Sequence, residues 1–135
     1  TSAGHNPPLL YRPATRTFEE LWTPGIALGV LAEVTLQEDR VTLAPGDLLV
    51  CYTDGVTEAI NEQTEPFEKS RLCDLIAQHH AAGASDLLAA ITAAVARFTH
   101  GQVPFDDITL VVVKREADGW DIGAAGSTPV EQLEK

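Results

Sequence analysis

The sequence predicts an α+β fold, an antiparallel sheet with helices laid on one of its faces. Three observations carry this. Short β-type segments parted by Pro- and Gly-rich turns fill the first half. Two apolar stripes at helical spacing occupy residues 69–101, and a branched apolar run, Ile108 to Lys114, then returns as a strand. With 135 residues, 44% of them hydrophobic, the chain is one domain or part of one with a real core.

Leu9 to Arg12 and Thr17 to Leu21 flank Pro13-Ala14-Thr15-Arg16, a hairpin turn. Thr23 to Gly29 holds too many breakers for a strand interior. Ala32 to Leu36 and Arg40 to Leu43 read as strands joined by the polar turn Gln37-Glu38-Asp39, with Val41 and Leu43 on one face. Ala44-Pro45-Gly46-Asp47 turns tightly into the apolar strand Leu48 to Tyr52. Leu72, Leu75, Ile76 and His79 mark one face of a helix from Lys69 to His80, which Gly83 stops. Ser85 is the expected N-cap of a second helix, with Asp86 in its first turn. Leu87, Leu88, Ile91, Val95 and Phe98 form its stripe, and Gly101 ends it. Gln102 to Phe105 is a loop, and the strand Ile108 to Lys114 reads as buried on both faces. Asp118-Gly119 turns into a short partner, Trp120 to Ile122. Residues 1–122 are thus the folded portion, and 123–135 a linker or disordered tail. One helical layer leaves the other sheet face uncovered.

The net charge of −11, with nine Lys and Arg scattered along the chain, argues against nucleic acid or anionic membrane as a partner. Cys51 and Cys73 lack zinc-site spacing and read as buried thiols. No run approaches a membrane-spanning length and none reads as a signal peptide, so a cytoplasmic location is expected.

Chemistry concentrates at two strand ends. Leu48 to Tyr52 stops in Thr53-Asp54-Gly55, where glycine's backbone freedom lets the chain turn away and expose Asp54. Asp106-Asp107 immediately precedes the last strand. Carboxylates presented by two strand ends suit a hard cation. The plain alternative is a pair of turn aspartates, and spacing alone does not decide between them.

AGHNPPLL (Ala3 to Leu10), LAPGDLLVCYTDGVTEAIN (Leu43 to Asn61) and DDITLVVVK (Asp106 to Lys114) together resemble the metal-dependent protein phosphatases of the 2C type. The nearest branch is the bacterial one of sporulation stage II E and the sigma-regulator phosphatases. The resemblance implies part of a β-sandwich of antiparallel strands with a flanking helix pair. It also implies two Mn²⁺ or Mg²⁺ ions that activate a water against phosphoserine or phosphothreonine. Residue by residue, Asp54 and Asp106 match metal ligands and act in catalysis through the metal-bound water. Asp107 stands where relatives carry Asn or Asp; it braces the site, with metal contact as the alternative. Thr53 and Glu58 are expected to cap and brace the adjoining turn, and Gly55 to keep it tight. His5 invites a general-acid role, but the favoured reading has His5 and Asn6 satisfying backbone groups at a strand start. His79 is expected to pack, His80 and His100 to stand alone, and Trp22 and Trp120 to cover the core.

Two departures qualify the resemblance. The family's Gly-Glu-x-Phe-Gly pattern reads Thr64-Glu65-Pro66-Phe67-Glu68 here, so this segment is expected to run differently. The family's upstream Asp-x-Ser-Gly-His-Gly motif has no copy, so the chain reads as the C-terminal portion of a phosphatase domain, inactive alone and able to self-associate. The implied substrate is a phosphorylated regulator of the anti-anti-sigma type. The alternative function is a phosphatase-like module that only binds a partner protein.

Overall fold

Where the apolar residues fall sets the architecture of the computed structural model, which describes residues 1–100 and 106–116. In chain order its elements are β1 (Leu9–Arg12), β2 (Thr17–Glu20), β3 (Leu48–Tyr52), α1 (Asp54–Thr57), α2 (Glu68–His79), α3 (Ala84–Phe98) and β4 (Leu110–Lys114). The strands form an antiparallel sheet in the order β2-β1-β3-β4, and the fold is α+β as expected. Leu9 pairs with Val50, and Val50 with Val112. Alternate residues then share a face. Leu9, Tyr11, Leu48, Val50 and Tyr52 accordingly meet Leu72, Ile76, Leu87, Ile91 and Val95 of α2 and α3 in one core. Burying such a side chain contributes about 1.5–3 kcal/mol. Lys114 fixes the helix layer to the sheet, its ammonium donating to the carbonyls of Ala81 and Ala82 beyond α2.

Several expectations need correction. Residues 32–36 and 40–43 form no strand, because β-type composition yields a strand only where a ladder partner exists. β1 is already paired on both edges and offers them no place. Backbone oxygens of this segment are satisfied by side chains instead: Arg12 reaches Thr42, Arg115 reaches Leu43 and Thr1 reaches Gln37. β4 is not buried on both faces. Leu110 and Val112 pack against the core, whereas Val111 and Val113 are 50% and 43% exposed on the face away from the helices. The N-cap of α3 is Gly83, and Ser85 lies inside the helix without a capping bond. Its last helical residue is Phe98. His79 faces solvent rather than packing, and its neighbour His80 lies edge-on to Tyr11 with ring centroids 5.9 Å apart. Trp22 is 65% exposed and lies outside the core cluster. Cys51 and Cys73 are half-buried, and desolvation pushes both thiols above their ordinary pKa. The expected loop at 102–105, the strand at Trp120 and the tail from 123 lie outside the described residues.

Thr64 and Glu68 hold the other surprise. Both adopt left-handed backbone, with φ of 62° and 68°. Backbone angles that glycines would favour are therefore adopted here without glycines. Asn61 pins it, its Oδ1 accepting from the N–H groups of Gln63 and Glu65.

Candidate functional site

β3 and β4 are antiparallel neighbours, so the C-terminal end of one and the N-terminal end of the other share one end of the sheet. The ladder closes at Tyr52 opposite Leu110, and Thr53 adds one further bond, its N–H donating to the Thr109 carbonyl at 3.1 Å. Asp54 follows at the start of α1, and Asp106 and Asp107 lie just ahead of Thr109. All three aspartates are exposed.

Two small residues hold these ends together. The Thr53 hydroxyl donates to the Asp107 carbonyl at 2.8 Å and accepts from the Thr109 N–H at 2.9 Å. Thr53 thus braces the opposite strand rather than its own turn. Gly55 contributes by lacking a side chain: a Cβ there would sit 2.6 Å from the Asp107 carbonyl oxygen and 3.2 Å from that of Asp106. Its φ is not left-handed, so the glycine serves close approach and not, as the sequence suggested, an unusual turn angle. Glu58 caps α1 through its backbone N–H to the Asp54 carbonyl, and its side chain is exposed. Neither brace is visible in sequence, because the partners lie more than fifty residues apart.

The carboxylates retain coordinating capacity. Asp54 Oδ1 accepts from the Gly55 N–H at 3.0 Å and Asp106 Oδ1 from the Asp107 N–H at 2.7 Å. Among the described residues the Oδ2 atoms of both, and the Asp107 carboxylate, accept no hydrogen bond, and none of the three acids forms an ion pair. Exposed oxygen donors without a basic partner are the kind Mg²⁺ or Mn²⁺ takes. They fit part of such a site and not a whole one. Among the described residues no group of three or more His, Cys, Asp or Glu is placed to hold an ion alone.

The lead into β1 comes to the same end, since β1 runs antiparallel to β3. His5 and Asn6 line a cavity of about 330 Å³ there, with Glu20, Trp22 and Arg40. Neither side chain satisfies a backbone group among the described residues; the His5 backbone carbonyl accepts from the Ser2 hydroxyl instead. Gly4 and Gly25 bring the 24–28 segment tightly over this lead, Gly25 against the Ser2 carbonyl and Gly4 against Ala27.

Comparison with known proteins agrees with this architecture. The model of the family described as stage II sporulation protein E (SpoIIE) matches residues 1–116. The chain is 31% identical over 115 residues to the phosphoserine phosphatase RsbU of Bacillus subtilis (strain 168), covering 85% of the chain and 34% of RsbU. It is 31% identical over 114 residues to protein IcfG of Synechocystis sp., covering 84% of the chain and 18% of IcfG. The chain therefore spans about a third of the length of one of these curated relatives and less than a fifth of the other. The PP2C phosphatase domain of SpoIIE from Bacillus subtilis superposes with a TM-score of 0.69 at 21% identity, over 85% of the chain and 33% of that structure. The SiaA-PP2C domain of Pseudomonas aeruginosa gives 0.67 at 21%, over 82% and 43%. A structure of RsbU and RsbW domains from Mycobacterium tuberculosis gives 0.64 at 28%, over 86% and 31%. The fold is that of part of a PP2C-type domain.

Proposed function

The chain belongs to the stage II sporulation protein E (SpoIIE) family, and from that premise we propose that it is part of a Mn²⁺- or Mg²⁺-dependent protein serine/threonine phosphatase. Asp54 and Asp106 would hold the metal, with Asp107 beside them. The observation that carries this is the shared strand end, where Thr53 and Gly55 hold together the backbones that bear three exposed carboxylates, unpaired among the described residues. RsbU, a curated phosphoserine phosphatase, supports the reaction class.

A bound divalent cation supplies an activated water and offsets the charge of a phosphate. What this chain contributes is placement: the sheet keeps the carboxylates in register, and Thr53 limits the freedom of the 106–109 segment. The substrate is proposed to be a phosphoserine- or phosphothreonine-bearing regulator protein of the anti-anti-sigma type, and the location cytoplasmic. Among the described residues no helix is long and apolar enough to cross a membrane.

The second reading, a module that binds a partner without catalysis, is favoured by one observation. The described residues do not complete a metal group. An Asp-x-Ser-Gly-His-Gly block upstream of Thr1 in the same reading frame would favour the enzyme. The direct experiment is Mn²⁺-dependent phosphatase assay of the longest natural protein containing this segment. Asp54→Asn is expected to lower its activity at least about 100-fold. Equal activity with and without that substitution would defeat the assignment. The 135-residue chain alone is expected to be nearly inactive.

A further inference from the structure

The stretch from Asp106 to Thr109 carries two of the three acids and lies outside the β4 ladder. Among the described residues, every hydrogen bond that joins it to another part of the chain ends on Thr53. The Asp106 carboxylate bonds only locally, to the next N–H. Thr53 is equally committed to the other side, being the N-cap residue from which Asp54 departs. One residue is therefore the mechanical link between the two acidic strand ends.

The chemistry of that link is specific to a hydroxyl. Beyond the Thr53–Thr109 backbone bond the regular ladder stops, because Asp54 turns into α1 while 106–107 pass close against Gly55. No backbone group on β3 remains to pair with the Asp107 carbonyl. The Thr53 hydroxyl fills that gap by donating a hydrogen bond to the Asp107 carbonyl and accepting one from the Thr109 N–H. A hydroxyl alone among small side chains can donate and accept at one atom. Valine has the same shape and can do neither, so it would leave a carbonyl and an N–H to compete for water.

We propose that Thr53 is a positioning residue that sets the spacing of Asp54 against Asp106 and Asp107 and thereby tunes divalent-cation affinity. The proposal rests on the phosphatase reading and deepens it. Gly55 supports the same geometry passively, by leaving room for the Asp107 carbonyl. Groups that orient metal ligands without touching the ion typically change affinity 10- to 100-fold when removed.

The test uses the longest natural protein containing this segment, with Mn²⁺ itself as the probe. Mn²⁺ affinity is measured by calorimetry, alongside the Mn²⁺ concentration for half-maximal activity and the melting temperature. Thr53→Val is expected to raise the Mn²⁺ Kd about 10-fold or more, and Thr53→Ser to stay within about threefold of the parent. Should the valine variant fail to fold, Thr53→Ala is measured in its place with the same expectation. A lowered melting temperature with unchanged Mn²⁺ Kd would overturn the proposal, as would a serine variant as impaired as valine. Asp54→Asn separates the two levels of the argument. If it leaves Mn²⁺ binding and activity intact, the metal assignment falls; if it abolishes both while Thr53→Val binds normally, only the role of Thr53 falls.

Discussion

The sheet has an aspartate beside a glycine at each end of β3, and the two pairs are built differently. At the start of β3, Asp47 is buried. Its Oδ2 accepts from Arg12 at 2.8 Å and from the Ala44 N–H at 2.8 Å. Its backbone is tied to Arg115 on β4's trailing end, and Gly46 beside it needs a left-handed φ of 88° with open space around it. At the far end Asp54 is exposed and has no basic partner among the described residues, while Gly55 has an ordinary φ and no space. One end spends its carboxylate on the fold. The other ties its carboxylates only to the next N–H, and its long-range bonds fasten backbone alone.

This contrast separates an acid the fold consumes from acids it leaves exposed, and it can be broken by substitution. The largest stability effect belongs to Asp47. Asp47→Ala leaves the Arg12 guanidinium without its principal partner and frees the Ala44 N–H. Breaking a buried pair costs about 3–5 kcal/mol, and because Arg12 is itself 31% exposed the lower figure applies, about 3 kcal/mol or somewhat less. Chemical denaturation should register this loss. A change below about 1 kcal/mol would mean the buried pair is not what holds that end.

The Thr64 turn gives the next effect, of opposite sign. A β-branched residue in left-handed backbone costs about 1–2 kcal/mol, and glycine recovers that less its own extra chain entropy. Thr64→Gly is therefore expected to stabilise by about 0.5–1 kcal/mol. Asn61 keeps its bonds to the Gln63 and Glu65 N–H groups in the variant, so the turn itself need not rearrange. A loss of stability would show that the threonine side chain earns its place through a contact.

What could be read from sequence follows the range of the forces involved. β1, β3, both long helices and the position of Asp54 and Asp106 at strand ends were legible because apolar periodicity and turn residues are local signals. The segment 32–43 misled for the converse reason: its β-type residues find no ladder partner, and partner availability is a property of the whole sheet. The burial of Asp47 could not be separated from that of any turn aspartate without knowing that Arg12, thirty-five residues earlier, sits on the adjoining strand. The role of Gly55 was misassigned because glycine's two uses, dihedral freedom and absence of bulk, look identical in a sequence. The left-handed angles at 64 and 68 were equally hidden in sequence, since a fold can hold a strained angle when neighbouring bonds over-determine it.

The smallest effect sharpens the comparison most. Asp106→Asn keeps the local bond, because the amide oxygen can still accept from the Asp107 N–H. It removes one charge from an exposed acidic end of a chain whose net charge is already −11. Without added metal the substitution should leave stability unchanged or raise it by up to about 0.5 kcal/mol at low salt, a gain that fades as salt screens the remaining acids. Saturating Mn²⁺ should reverse the order in the longer natural protein, stabilising the parent more than the variant, because a ligand that binds only the folded state adds stability that rises with the logarithm of its affinity. A variant destabilised in metal-free buffer would place Asp106 with Asp47, as an acid the fold consumes. Crossing of the two stability orders with Mn²⁺ concentration is the signature of an acid held in reserve for a cation.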